Sequence, residues 1–141
     1  RTYRKPLVVA GPKTLLRLRA CQSSLIDMQP GTSFQPVLQD PLFASADADT
    51  STVKRVLLTS GKIYYDLVDQ EARSASSTAI VRIEELCPFP GETIVATLAA
   101  YPADAEIVWC QEEPTSMGAY SFVAPRLESL LRRKIRVVSR P

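Results

Sequence analysis

The chain has 141 residues, which suits one domain of ordinary size and leaves no room for a second catalytic one; 45% hydrophobic and 23% charged residues predict a soluble, globular domain. A net charge of +2, from 17 basic and 15 acidic residues with few aromatics among the basic ones, argues against a nucleic-acid surface. Histidine is absent, so neither a Ser-His-Asp nor a Cys-His nucleophile system can be built from this chain, and any reactive groups are expected elsewhere.

In chain order, Leu7-Val8-Val9-Ala10 reads as a buried strand that stops at Gly11-Pro12. Pro12 suits the first position of a helix, predicted over residues 13–19. Residues 21–52, rich in Pro, Gly, Ser, Asp and Gln, read as a linker. Within it, 34–38 offers one short strand that Pro36 confines to an edge, and 44–52 reads as a surface loop. No apolar run nears the roughly 20 residues of a membrane span, and neither an anchor nor a signal peptide is predicted.

From Val53 the pattern becomes regular. Val56-Leu57-Leu58-Thr59 reads as a buried strand, Ser60-Gly61-Lys62 as a turn, and Tyr64, Leu67, Val68 and Glu71 fall at helical spacing. A strand over 79–83 leads to a helix carrying Ile94, Val95, Leu98 and Ala99, which Pro102 stops. A strand over 107–110 runs into Gln111-Glu112-Glu113-Pro114. After Gly118 comes a helix with Leu127, Leu130 and Leu131 on one face, which Pro125 should kink or restart, and then a last strand over 136–139. Strands alternating with helices predict an α/β domain whose mainly parallel sheet is covered on both faces. Such sheets hold ligands at the C-terminal strand ends, yet Ser60-Gly61-Lys62 fits neither GxGxxG nor GxxxxGK[ST].

Three segments in this order, VKRVLLTSGKIYYDL, AIVRIEELCPFP and EIVWCQEEPTSMGAYSFVAPRL, resemble the C-terminal domain of the transketolase superfamily. Within it they are most similar to the thiamine-diphosphate-dependent first component of 2-oxoglutarate dehydrogenase, and nearly as similar to the 2-oxoadipate enzyme. The opening Tyr3-Arg4-Lys5-Pro6-Leu7 and Pro12-Lys13-Thr14 resemble the end of the preceding pyrimidine-binding domain in that family. The resemblance implies a tail of that domain over 1–20, a linker over 21–52 and the C-terminal domain over 53–141, with the parent continuing at both ends. It implies a three-layer α/β/α fold with a five-stranded mixed sheet of order 1-3-2-4-5, in which strand 1 is antiparallel. It also implies a homodimeric parent that decarboxylates a 2-oxo acid on thiamine diphosphate and magnesium. The acyl group then passes to lipoyl-lysine of the second component. The cofactor residues belong to the earlier domains, so none is expected in this chain. Such a parent would reside in the mitochondrial matrix of a eukaryote or the cytoplasm of a bacterium.

Two sets of candidate site residues follow. Glu112, Glu113, Gly118 and Tyr120 lie where the sheet's C-terminal edge is expected and are read as shaping a loop near the parent's dimer interface. An acidic pair there also suits a solvated turn or the start of the next helix. Arg17, Lys62 and Arg82 are the candidates for an effector site binding acetyl-coenzyme A or AMP, since some relatives bind such effectors through this region. The alternative is that these cations are solvated or paired with carboxylates. Cys21, Cys87 and Cys110 form an odd set without CxxC spacing, which predicts no disulfide framework and a reducing compartment. Cys87 and Cys110 are given no catalytic role. Arg132-Arg133-Lys134 is read as cations at the negative end of the last helix.

Overall fold

A computed structural model describes residues 4–6, 8–45, 47–68 and 77–141, divided into two compact units, Arg1–Thr32 and Ser33–Pro141. The division falls inside the stretch read as a linker.

The N-terminal unit departs from the predicted strand and helix. Val8 and Val9 are 87% and 81% exposed and join no ladder, while Leu7 lies outside the described residues. An apolar run without a neighbouring strand has nothing to exchange backbone hydrogen bonds with. In place of a helix over 13–19, the chain makes successive single-turn 3-10 helices, Lys13–Arg17, Arg19–Cys21 and Leu25–Met28. The last of these is capped from both sides, since Ser24 Oγ accepts from Ile26 N at 3.3 Å and the Asp27 carboxylate accepts from Ser24 N at 3.0 Å.

The second unit holds the sheet. Its strands are β1 (Val37–Leu38), β2 (Arg55–Thr59), β3 (Thr78–Ile83), β4 (Glu106–Pro114) and β5 (Arg136–Arg140), and its helices are α1 (Ile63–Val68), α2 (Gly91–Leu98) and α3 (Tyr120–Leu131). The strand order is β1-β3-β2-β4-β5, with β1 antiparallel to β3 and the other pairs parallel, in agreement with the expected mixed sheet. The edge strand is short, but Pro36 O extends its pairing by accepting from Glu84 N and Glu85 N. Just beyond it, Asp40 is fully buried. Its carboxylate accepts from Leu42 N at 3.0 Å and from Ile80 N at 2.7 Å, which pins the chain against β3.

Alternation along the strands separates two faces. Val56, Leu58, Val81, Ile83, Ile107 and Trp109 form the core face and pack with Ile94 of α2 and Val123 and Leu127 of α3. Arg82 lies between Val81 and Ile83 in sequence and so points to the opposite face, where its guanidinium lies 4.1 Å from the centre of the Tyr64 ring of α1. Helices therefore cover both faces. The two core-side helices touch closely at Gly91, where a Cβ would come within 2.9 Å of Leu130 Cδ1. Leu130 is nevertheless 44% exposed, so of the predicted apolar face of α3 Leu127 is buried and Leu131 packs partly buried against the core, with Val123 and Ala124 completing it. Pro125 sits inside a helix that continues through it. Glu71, predicted on the stripe of α1, lies outside the described residues.

Candidate functional site

At the C-terminal end of β4 the backbone departs from a regular ladder. The strand predicted to stop at Cys110 continues as β4 to Pro114, and its pairing with β5 shifts register between Cys110 and Pro114. Gln111 lies within that stretch. It follows Ile107 and Trp109 at the two-residue spacing of the core face, and it is only 6% exposed. A buried amide needs partners, and Gln111 has five. Its Oε1 accepts from Trp109 Nε1 at 2.9 Å and from Tyr120 N at 3.0 Å. Its two Nε2 N–H groups reach the carbonyls of Glu113, Pro114 and Met117 at 3.0, 3.0 and 2.9 Å, one of them shared between two acceptors.

The bond from Tyr120 N also satisfies one of the first backbone N–H groups of α3, whose N-cap residue, Ala119, supplies no side-chain acceptor. Gly118 closes the loop at φ +67°, a conformation that glycine adopts without steric cost. A Cβ there would come within 3.0 Å of both Gln111 Oε1 and Glu113 Oε2. Glu112 and Glu113 at the end of β4, Gly118 in the turn and Tyr120 at the start of α3 thus belong to one β4–α3 connection ordered by Gln111. Sequence reasoning passed over Gln111, although its parity with Ile107 and Trp109 was the available signal.

The two carboxylates of the acidic pair differ in their partners. Glu112 Oε1 meets Lys62 Nζ at 2.9 Å, and the same ammonium reaches Asp66 at 3.1 Å. Glu112, and after it Asp66, holds the Lys62 ammonium above its ordinary pKa. Lys62 follows Gly61, whose φ of +78° turns the chain from β2 into α1, so this bridge ties the start of α1 to the end of β4. Among the described residues, no hydrogen bond or ion pair holds the Glu113 carboxylate.

Lys62 and Arg82 both touch α1, but each already has internal partners. Arg82 stacks on Tyr64 and lies 3.7 Å from Glu84, while its Nε is buried without a partner among the described residues. Arg17 ends a single-turn helix in the N-terminal unit. The cysteines are free; Cys110 is buried, which pushes its thiol pKa up, and Cys87 is exposed. Arg133, beyond the end of α3, donates to Ala103 O at 2.9 Å.

A cleft of about 500 Å³ opens beside the loop, with Leu86, Trp109 and Phe122 as apolar walls and Ser60, Cys87 and Glu113 as polar lining. It lies at the strand ends, where open α/β sheets hold ligands. A larger groove of about 690 Å³ runs between the start of α2 and the middle of α3. Its one cation, Arg126, is engaged by Phe122, through the carbonyl at 2.7 Å and the ring at 3.7 Å. No cation lines the strand-end cleft, and no group of three His, Cys, Asp or Glu among the described residues could hold a metal ion. These residues do not fit a diphosphate with its magnesium.

Comparison with known proteins gives the family. The family model described as 2-oxoglutarate dehydrogenase C-terminal matches residues 22–141. The 2-oxoadipate dehydrogenase complex component E1 of Danio rerio is 48% identical over 144 aligned residues, covering 100% of this chain and 15% of that protein. The human protein of the same name is 44% identical over the same shares. The 2-oxoglutarate dehydrogenase E1 component of Cupriavidus necator is 46% identical over 124 residues, covering 87% of this chain and 12% of that protein. The chain thus spans about 15% of the length of the first of these relatives. With the family model covering the whole sheet, this chain belongs to the 2-oxoglutarate dehydrogenase C-terminal family.

Proposed function

We propose that the chain is the C-terminal assembly domain of the thiamine-diphosphate-dependent first component of a 2-oxo acid dehydrogenase complex. The parent decarboxylates a 2-oxo dicarboxylic acid with thiamine diphosphate and magnesium held by its other domains. It works as a homodimer and hands the acyl group to the lipoyl-bearing second component. The 141-residue chain alone is inactive. Its compartment is the mitochondrial matrix in a eukaryote or the cytoplasm in a bacterium.

The observation that carries this reading is the Gln111-ordered loop. The strand ends, where open sheets of this topology place their functional groups, present a surface braced from within by the Gln111 amide. Such a surface is suited to contact, and the loop is read as lying at the interface between two copies of the parent.

2-Oxoglutarate is the first reading for the substrate, on the family that the chain belongs to. 2-Oxoadipate is the second, favoured by the relatives of that name that align along the whole chain, residues 1–21 included. The test is to express the full parent with and without residues 113–120 and to measure self-association and decarboxylation of both acids. Intact parent should turn over one acid preferentially, and loop deletion should weaken self-association. Turnover by the 141-residue chain alone, or a parent whose assembly ignores the deletion, would overturn the proposal.

A further inference from the structure

The acidic pair at the end of β4 divides its labour. Glu112 is taken up inside the domain by Lys62 at 2.9 Å. Glu113, next in sequence, is exposed and has no partner among the described residues, and its backbone is anchored. Its backbone carbonyl is held by Gln111 Nε2 at 3.0 Å, and its Oε2 lies within 3.0 Å of where a Cβ on Gly118 would stand. Glycine at 118 therefore makes the room that this carboxylate occupies. It lines the mouth of a cleft whose walls are Leu86, Trp109 and Phe122.

An apolar cleft with one uncompensated carboxylate and no cation of its own has a defined complement. A lysine or arginine side chain can lay its alkyl stem along the apolar walls and carry its charged head to the carboxylate. Charge-assisted hydrogen bonds of this kind are stronger than neutral ones, and an arriving partner would cover the exposed carboxylate from water. The loop is braced before any partner arrives, so the ordering cost of association is already met within the domain.

We infer that Glu113 and this cleft receive a basic side chain from a second copy of the parent chain, with Gln111 as the positioning residue that holds the receptor open. This rests on the reading above that the loop lies at the interface between two copies. Of the possible occupants, a basic side chain is selected by charge complementarity, because every other lining group is apolar or neutral.

The experiment uses the full parent chain and the isosteric variant Glu113→Gln, with self-association measured by sedimentation. The variant should raise the dimer dissociation constant about tenfold at about 0.15 M salt, and the gap should narrow at about 1 M salt as the charges are screened. Circular dichroism of the variant shows that it folds. Zero-length carbodiimide coupling of dimers mixed from isotopically light and heavy copies then reports whether Glu113 joins a lysine of the other copy. An inter-copy link supports the inference; a link to the second component of the complex overturns it. If the wild-type parent dimerises and Glu113→Gln leaves the constant unchanged at both salts, the role of Glu113 fails while the interface reading stands. If the wild-type parent does not self-associate, both fail together.

Discussion

Gln111 concentrates the loop's dependence on one side chain. Replacement by Met keeps the volume and removes the amide's bonds, leaving Trp109 Nε1, Tyr120 N and the carbonyls of Glu113 and Met117 short of partners, while Pro114 O keeps its bond from Met117 N at 2.9 Å. Unsatisfied buried groups each cost more than the net gain of a made bond, so Gln111→Met should lose about 3 kcal/mol of stability. Urea unfolding followed by fluorescence is the check, and Trp109 is a convenient reporter because it is the only tryptophan. A loss below about 1 kcal/mol would mean that water replaces the amide. Gln111→Glu should be worse, since it turns a donor to three carbonyls into an acceptor. The loop's members were legible in the sequence because glycine and an acidic pair stand out. Their organiser was not, because one glutamine in a strand carries no local signature, and its role depends on a register shift between β4 and β5.

At the scale of elements, α3 and the strand starts lead to separate tests. Leu127 is fully buried and Leu130 is 44% exposed, although both fall on the predicted apolar stripe. Leu127→Ala should therefore cost about 3 kcal/mol, and Leu130→Ala about 1 kcal/mol or less, in thermal denaturation. Equal losses would show that the groove between α2 and α3 is closed in solution. At the other end of the sheet, Glu106 of β4 bonds Arg55 of β2 at 2.6 Å and Arg136 of β5 at 3.4 Å, a cross-strand clasp over three neighbours. Arg55, and then Arg136, holds the Glu106 carboxyl below its ordinary pKa. A depressed folded-state pKa stabilises above the unfolded value, near 4.3 for glutamate, and that stability is lost as pH falls through the folded value. Wild type should thus exceed Glu106→Gln in stability at neutral pH, and the difference should vanish on acidification below about pH 4. A difference that persists in acid would assign the effect to packing. Periodicity made these strands and helices readable, whereas their ends were less so. β4 outran its apolar run because Gln111 supplies inside the fold what an apolar residue supplies elsewhere.

For the whole molecule, the division at Thr32 and Ser33 separates two kinds of local order. Every member of the core cluster lies at or beyond Val37. A chain of residues 33–141 should accordingly unfold in one cooperative transition, with the far-ultraviolet signature of a mixed α/β domain; a broad, non-cooperative melt would show that the core needs residues 1–32. The sheet order and the antiparallel edge strand followed from the resemblance and agree with the structure. The N-terminal strand and helix did not form, because an apolar run specifies a strand only when another strand is there to pair with it.

The amide at Gln111 also has a consequence for heredity. Single-base changes in either glutamine codon lead to Glu, Lys, Arg, His, Leu or Pro, apart from silent changes and a stop. None of these side chains carries a primary amide, and asparagine, the other amide, would fall one methylene short of the five partners. The loop therefore has no conservative neighbour one mutational step away. Any lineage that alters this codon must rebuild the end of β4 and the start of α3 by other means.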